Sequence, residues 1–352
     1  MNFNLVVTSK CNLSCKYCYE GNNKQGIDMN KFIADKSINF ICKKLNSSKI
    51  NKDKTHKIVF HGGEPLLNIE IIKYIKEKID LIIGNKYNIQ YDITSNGTIF
   101  NKEIEDFIKE NTVNLSISID GIKKIHDKNR KFKNGNGSFN TVIKNLKNFI
   151  NLTDTRVRMT VSSEDIYYLH ESIKQLSDLG IKTIVPIQNF YDSNWDDIKI
   201  DYFKKVILQL IDDFYEDPEM TISTIEEESI LCRRGDCFGG ISTFSIDEIG
   251  NVYPCLFCLN RDNFIIGNIV DNDIEYIDKN AKKLLFERYE SNNHECEQCN
   301  GKDFCDGNRC KLLNYIVTND YNSPPLINCI MTKINIDTYN KLNSRKLGEE
   351  LC

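Results

Sequence analysis

The chain has 352 residues, 40% hydrophobic and 27% charged, so it can bury a sizeable core and has the make-up of an ordinary globular protein. Its net charge of −4 speaks against a broad nucleic-acid or anionic-membrane surface, and no apolar run reaches the roughly 18 residues that a membrane helix needs. With no basic-then-apolar signal at its start, the protein is expected in the cytoplasm, where its 14 cysteines read as metal thiolates and not as a disulfide framework.

The first predicted element is a strand over Phe3–Thr8, and Cys11-x3-Cys15-x2-Cys18 follows it directly. Three thiolates at this spacing hold three irons of a four-iron cube and leave the fourth iron without a protein ligand, the open position that a catalytic site needs. A zinc knuckle is the competing reading, but it lacks a nearby fourth ligand, the closest histidine being His56. Helical periodicity spans Asn30–Leu45, with Cys42 as a core thiol. A second strand, Lys57–Phe60, runs into His61-Gly62-Gly63-Glu64-Pro65, where adjacent glycines let backbone approach a ligand closely. Helix Asn68–Ile83 and strand Tyr87–Thr94 come next, the strand ending in Thr94-Ser95-Asn96-Gly97. After helix Lys102–Glu110, strand Val113–Ile119 closes in Ser116-Ile117-Ser118-Ile119-Asp120-Gly121, with His126-Asp127-x2-Arg130 downstream. Helix Phe139–Ile150, strand Arg156–Val161, helix Asp165–Leu179, strand Lys182–Gln188 and helix Asp201–Tyr215 complete six βα units. Such alternation predicts a parallel sheet with right-handed crossovers: a partial (β/α)6 TIM-like barrel or, failing that, an open doubly wound sheet. The loop Phe190–Asp197 is expected over the barrel mouth, touching substrate or simply anchored by its aromatic residues.

Near residue 220 the character changes, dividing the chain into a barrel domain, 1–220, and a cysteine-rich α+β domain, 221–352, with Glu226-Glu227-Glu228 as a solvated linker. Short strands such as Ser242–Ile246, helices around Ile277–Arg288 and Lys311–Val317, and an amphipathic stretch, Thr332–Leu347, are expected. A module this poor in apolar periodicity depends on bound metal for its fold.

The cysteine loop, including Tyr17 just before its third cysteine, resembles that of radical S-adenosylmethionine (SAM) enzymes. The resemblance extends to Gly62-Gly63-Glu64-Pro65 and to the motifs closing the third and fourth strands. It implies a [4Fe-4S] cluster on Cys11, Cys15 and Cys18 whose open iron chelates SAM and cleaves it to a 5′-deoxyadenosyl radical. The implied SAM-binding residues are Tyr17, Gly62, Gly63, Glu64, Ser95, Asn96, Ser118, Asp120 and Arg130, with Ser118 and Arg130 at the ribose and carboxylate. Arg suits a carboxylate through a bidentate charged fork.

The C-terminal region resembles the SPASM domain of peptide-modifying radical SAM enzymes through Cys237-x12-Gly250-x4-Cys255, Cys296-x2-Cys299-x5-Cys305-x4-Cys310 and Cys329. The family has three residues before the last cysteine of that quartet; here there are four, Asp306-Gly307-Asn308-Arg309. Two auxiliary [4Fe-4S] clusters are implied, one on Cys232, Cys237, Cys255 and Cys310 and one on Cys296, Cys299, Cys305 and Cys329, for three clusters in all. Two structural zinc sites are the competing reading. Cys258 is the stand-in ligand, His294 an exposed histidine, and Cys352 a frayed terminal residue.

The resemblance implies a peptide or protein substrate, an electron donor such as flavodoxin or ferredoxin, and no nucleic-acid or membrane partner. The leading expectation is a maturase that forms a thioether or carbon–carbon crosslink in a Cys-rich ribosomal peptide. The alternative is an anaerobic sulfatase-maturating enzyme, which generates formylglycine; those enzymes place an Asp base directly after the Gly-x4-Cys cysteine, where this chain has Leu256. A non-enzymatic electron carrier or metal scaffold is a third reading, and it has no use for the motifs at the strand exits. Because the cluster motif sits on the first strand, the peptide is expected to be recognised by the C-terminal module and barrel mouth, or by a separate leader-binding protein.

Overall fold

Short β-branched runs alternating with apolar stripes of helical period dictate the element order. The computed structural model describes residues 1–21, 26–47, 51–232, 235–289 and 293–349; Cys352 and the side chains of Glu227 and Glu228 lie outside the described residues. In chain order the strands and helices are β1 (Asn2–Thr8), β2 (Leu13–Cys15), α1 (Lys31–Leu45), β3 (His56–Gly62), α2 (Ile69–Ile83), β4 (Ile89–Ser95), α3 (Lys102–Glu110) and β5 (Val113–Ser118). There follow α4 (Lys123–Asn129), β6 (Arg130–Phe132), α5 (Phe139–Ile150), β7 (Thr155–Val161), α6 (Leu169–Asp178), β8 (Thr183–Gln188), α7 (Asp197–Phe214) and β9 (Thr221–Ile222). The remainder comprises α8 (Glu227–Ile230), β10 (Thr243–Ile246), β11 (Asn251–Tyr253), β12 (Gly267–Asn268), α9 (Ile274–Arg288), α10 (His294–Glu297), α11 (Asp306–Arg309), α12 (Lys311–Thr318) and α13 (Leu326–Glu349).

Helix starts follow side-chain caps. The Asn30 carboxamide accepts the Ile33 N–H at 3.0 Å, Asn101 that of Ile104 at 2.9 Å and Asp196 that of Lys199 at 2.8 Å. The last of these explains why α7 begins at Asp197, four residues ahead of expectation. Likewise α13 begins at Leu326, straight after Pro324 and Pro325, and not at Thr332. The acidic segment expected as a linker contains the short helix α8.

Two compact units emerge, each discontinuous in sequence. The first comprises Met1–Ser118, Asn129–Thr155 and Phe238–Glu287, and the second Ile119–Lys128, Arg156–Cys237 and Arg288–Cys352. They cut across the expected boundary near 220, and strand pairing is the reason. In the first unit the strand order is β12-β11-β10-β1-β3-β4-β5. Strands β10, β1, β3, β4 and β5 run parallel, while β11 and β12 are antiparallel additions. Thus β10, from the cysteine-rich region, adds to the sheet alongside β1, with Phe3 opposite Phe244 and Leu5 opposite Ile246.

The core of this unit is built on that seam. Phe3 stacks on Phe244 with ring centres 6.0 Å apart, and Phe40 of α1 meets Phe244 edge-on at 5.3 Å. Asn4, buried in β1, donates to Ser245 Oγ at 3.1 Å, so its amide is satisfied across the same seam. Lys44 of α1 lies with its ammonium 4.6 Å from the Phe244 ring centre and pairs with Asp278 of α9. Burial lowers the Lys44 pKa, the Asp278 carboxylate opposing that shift. Helix α2 covers the sheet with Ile71, Ile72, Ile75, Ile79 and Ile83, one apolar stripe of helical period.

The second unit contains the parallel trio β7-β8-β9, with Val157, Met159, Val161 and Ile184 buried. Helix α7 supplies Phe203, Val206, Ile207, Leu210 and Ile211 to its core. Trp195 is buried against Phe203, ring centres 5.6 Å apart, so the 190–197 loop has an aromatic anchor while Tyr191 stays exposed. Among the described residues no helix is long and apolar enough to cross a membrane.

Phe244→Ala should cost about 3–5 kcal/mol, the usual penalty for emptying an aromatic core site. Hydrogen exchange at the β1 amides from Asn2 to Leu5 should rise accordingly; exchange at wild-type rates there would show that the β1–β10 seam is not the support described.

Candidate active site and metal centres

Strand β1 delivers the chain to the cysteine loop, and short-range hydrogen bonds fix the loop's base. The Thr8 hydroxyl donates to Asp28 at 2.6 Å, the Lys10 N–H to Thr8 Oγ1 at 3.0 Å, and the Lys10 ammonium pairs with Asp28 at 2.5 Å. Burial works to raise Asp28, but hydrogen bonds from Lys10 and Thr8 and the Lys10 charge outweigh it and hold the carboxyl below its usual value.

The loop presents Cys11 buried and Cys15 and Cys18 half-buried. Cys11 Sγ accepts the Leu13 N–H at 3.4 Å, and Asn96 Nδ2 stands 3.8 Å from the same sulfur. The Cys18 N–H donates to Cys15 O at 3.3 Å, closing a turn between those two cysteines. Cys15 also lies in β2, which pairs antiparallel with β6 and sets it opposite Arg130. The Arg130 guanidinium carbon stands 5.3 Å from the centre of the Tyr17 ring, a cation–π contact that fixes the fork's orientation. One ladder thus places Cys15, Tyr17 and Arg130 together, a juxtaposition that sequence spacing does not indicate.

The exit of β3 forms a backbone shelf against this loop. Gly62 has φ +153°, and a Cβ there would lie 2.2 Å from Thr8 O; one on Gly63 would lie 2.4 Å from Lys10 O and 2.9 Å from Cys11 Cβ. The Gly63 and Glu64 N–H groups donate to Thr8 O at 2.9 Å and Lys10 O at 2.8 Å. Glu64 is fully buried, and its carboxylate accepts Ser95 Oγ–H at 2.8 Å, the Asn96 N–H at 2.7 Å and the Leu66 N–H at 3.2 Å. Asn96 Nδ2 also donates to Asn12 Oδ1 at 2.9 Å, and Asn12 Nδ2 to Thr98 Oγ1 at 2.7 Å. Ser118, half-buried, ends β5 on the strand beside β4.

Cys11, Cys15, Cys18, Tyr17, Gly62, Gly63, Glu64, Ser95, Asn96, Ser118 and Arg130 all belong to the first unit. Asp120 belongs to the second, where its buried carboxylate accepts the Thr160 N–H at 3.1 Å; His126, also buried, stands with Nδ1 3.4 Å from the Asp120 N–H. Asn12 and Thr98 carried no sequence signal, since each is an ordinary loop residue until the β1 and β4 exits meet. Glu248 follows β10. Burial raises its carboxyl pKa, a hydrogen bond with Ser9 opposing and the Asp247 and Glu20 charges adding to the rise.

In the second unit Cys296, Cys299, Cys305 and Cys329 lie within electrostatic reach of one another. Burial pushes the Cys296 thiol up, with Cys305 and Cys299 adding to it; burial also raises Cys329, followed by Cys305, Cys296 and Cys299. Asn293 caps α10 by accepting the Glu295 N–H at 2.9 Å, which sets Cys296, and the Cys299 N–H donates back to Cys296 O at 3.2 Å. Among the described residues no three His, Cys, Asp or Glu side chains gather as a ready-made single-ion site. The extra residue before Cys310 is absorbed by one helical turn, α11, whose Asp306 carbonyl accepts the Cys310 N–H at 2.7 Å. Cys232, Cys237 and Cys310 lie in the second unit, and Cys255 lies in the first. His294 is exposed, as expected.

The donor set fits an iron–sulfur cluster with an open iron: three thiols in one loop, beside a shelf on which any side chain at Gly63 would collide. Comparison with known proteins agrees. The radical SAM superfamily model matches residues 5–163, and the SPASM iron-sulfur cluster-binding domain matches residues 237–300. An uncharacterized protein of Methanocaldococcus jannaschii is 38% identical over 51% of this chain, which spans 59% of that relative's length. The cysteine-type anaerobic sulfatase-maturating enzyme of Clostridium novyi is 25% identical over 85% of this chain and 84% of its own. Among solved structures, native anSMEcpe with bound AdoMet and the Kp18Cys peptide has a TM-score of 0.79 at 21% identity, covering 99% of this chain and 100% of that one. The likeness shows the fold, a partial α/β barrel with a cysteine-rich C-terminal domain.

Gly63→Ala should displace the Cys11 loop, because its Cβ meets backbone and not the tip of a flexible side chain. Anaerobic reconstitution should then incorporate about four fewer irons per chain, with the far-ultraviolet circular dichroism unchanged. Full iron incorporation by this variant would contradict the shelf's role.

Proposed function

Because the chain belongs to the radical SAM superfamily and carries a SPASM iron–sulfur domain, we propose that it matures a Cys-rich ribosomal peptide by closing a thioether or carbon–carbon crosslink in it. The loop of three thiols, set beside the glycine shelf and the Arg130 fork, carries this reading. When bound there, a reduced four-iron cluster and SAM supply a 5′-deoxyadenosyl radical, which takes a hydrogen atom from the substrate.

The chain's own residues divide the work of holding those groups. Cys11, Cys15 and Cys18 ligate three irons, and Asn96 orients Cys11 from beside its sulfur. Gly62 and Gly63 offer backbone to the methionine amine with no side chain in the way. Arg130 grips the methionine carboxylate with a fork that the Tyr17 face steadies, and Ser118 holds the ribose. Glu64 acts from behind, tying the Ser95–Asn96 backbone to the shelf. In the cysteine-rich domain, Cys296, Cys299, Cys305 and Cys329 hold one auxiliary cluster, and Cys232, Cys237, Cys255 and Cys310 hold the other, for three clusters in all. Bound there, the clusters would supply a sink for an electron released from the substrate. A flavodoxin or ferredoxin supplies the electron that starts each turnover.

The long alignment to a sulfatase-maturating enzyme favours a second reading, formylglycine generation. Against it stands Leu256, whose aliphatic side chain occupies the position of the Asp base in those enzymes and has no proton to move.

Anaerobically reconstituted protein should hold about twelve irons, four per cluster. Replacing Cys11, Cys15 and Cys18 together by Ala should remove a third of them and abolish SAM cleavage; retained cleavage, or zinc in the C-terminal sites, would overturn this reading. Arg130→Ala should weaken SAM binding by about 1.5–3 kcal/mol while leaving iron content intact, and unchanged affinity would remove Arg130 from the site.

A further inference from the structure

Cys258 belongs to none of the proposed ligand sets, yet it lies against a member of one. Its side chain is completely buried, at the end of the short 3-10 turn Leu256–Cys258, and its N–H donates to the Cys255 carbonyl at 3.1 Å. The two sulfurs are 3.6 Å apart, and Cys255 is half-buried where Cys258 is not exposed at all. A thiol that served only as a small core hydrophobe would not need a second sulfur at that distance. Cys-x-x-Cys on a tight turn is also the arrangement in which one thiol reacts with solvent-borne species and the other resolves the product.

We propose that Cys255 and Cys258 form a reversible dithiol–disulfide couple in the cluster-free chain, competing with iron for Cys255; the competition rests on Cys255 being an auxiliary-cluster ligand. The oxidant is a low-molecular-weight disulfide. The Cys255 thiolate attacks one of its sulfurs, so a mixed disulfide forms, the small S–S bond breaks, and one small thiol leaves with a proton. The Cys258 thiolate then attacks the Cys255 sulfur, and the second small thiol departs. Two protein thiols have lost two electrons and two protons, and the small disulfide has gained both. The last step asks the two sulfurs to close to about 2 Å, a movement within the swing of a χ1 torsion. Oxidation would thereby park Cys255 in a form that takes no iron until it is reduced.

The test uses the full-length cluster-free chain, in which the Cys255–Cys258 turn follows β11 and is carried by the sheet of the first unit and not by a cluster. Oxidised glutathione is added, followed by alkylation under denaturing conditions without reductant and peptide mass mapping. The expected product is an intramolecular Cys255–Cys258 disulfide, with the buried thiol of Cys42 recovered alkylated. Cys258→Ser should instead trap glutathione on Cys255. A persistent glutathione adduct in the wild type, both thiols recovered alkylated, or Cys255 joined to another cysteine would overturn the couple. Iron uptake separates this inference from the ligand assignment beneath it. The oxidised chain should take up about four fewer irons until a dithiol reductant is added. If the disulfide forms but uptake is unchanged, the couple stands and the role of Cys255 as a ligand falls.

Discussion

The site depends on one buried carboxylate. Glu64 is fully inaccessible, and its backbone N–H and two carboxylate oxygens bind two different parts of the molecule: the Lys10 carbonyl leading into the cysteine loop, and the Ser95 hydroxyl and Asn96 amide at the β4 exit. A buried carboxylate is tolerable only when its lone pairs are met, and here donors from two strand exits meet them. The same bonds set the exits of β1, β3 and β4 in fixed positions. Asn96, held by its own backbone, then turns its carboxamide toward Cys11 and Asn12. Removing that carboxylate would leave a Ser hydroxyl and an amide N–H buried without acceptors, at about 1–3 kcal/mol each.

A second dependence runs along β1. An edge strand at the start of a parallel sheet exposes unpaired N–H and C=O groups, which proteins cover or pair. Here β10 pairs with β1, and Phe244 closes the aromatic cluster with Phe3 and Phe40. The Lys44–Asp278 ion pair joins α1 to α9 beside it. Cutting the chain near residue 220 would therefore remove a strand and a core aromatic from the sheet that presents the cysteine loop. The cysteine-rich region is thus part of the support for the loop.

Much of this was legible in the sequence. The six expected barrel strands form close to their expected bounds, and helices Lys102–Glu110 and Phe139–Ile150 form as expected, because apolar period is a local property, as is the Asn101 cap that starts the first of these helices. The cysteine loop and glycine shelf were legible too, since their chemistry needs particular residues at fixed spacing. What could not be read was non-local. The pairing of β2 with β6, which brings Arg130 to Cys15 and Tyr17, joins segments more than a hundred residues apart. The return of β10 to β1 spans more than two hundred, and four residues of moderate apolarity do not announce a partner. The bonds from the Glu64 carboxylate to Ser95, Asn96 and Leu66 were not legible either, since no local pattern announces them. The hydrogen bond from the Thr160 N–H to the Asp120 carboxylate, forty residues apart, is non-local in the same way.

The central claim is that the loop of Cys11, Cys15 and Cys18 holds a cluster whose fourth iron is open to SAM. Pulsed electron–nuclear double resonance on the anaerobically reduced enzyme tests it, using SAM isotopically labelled at its carboxylate oxygens and amine nitrogen. The account predicts hyperfine coupling of both labels to a reduced cluster, lost when Cys11, Cys15 and Cys18 are replaced and kept when Cys296 and Cys299 are replaced. Absence of coupling in the wild type, or coupling that survives loss of the N-terminal loop, would contradict it.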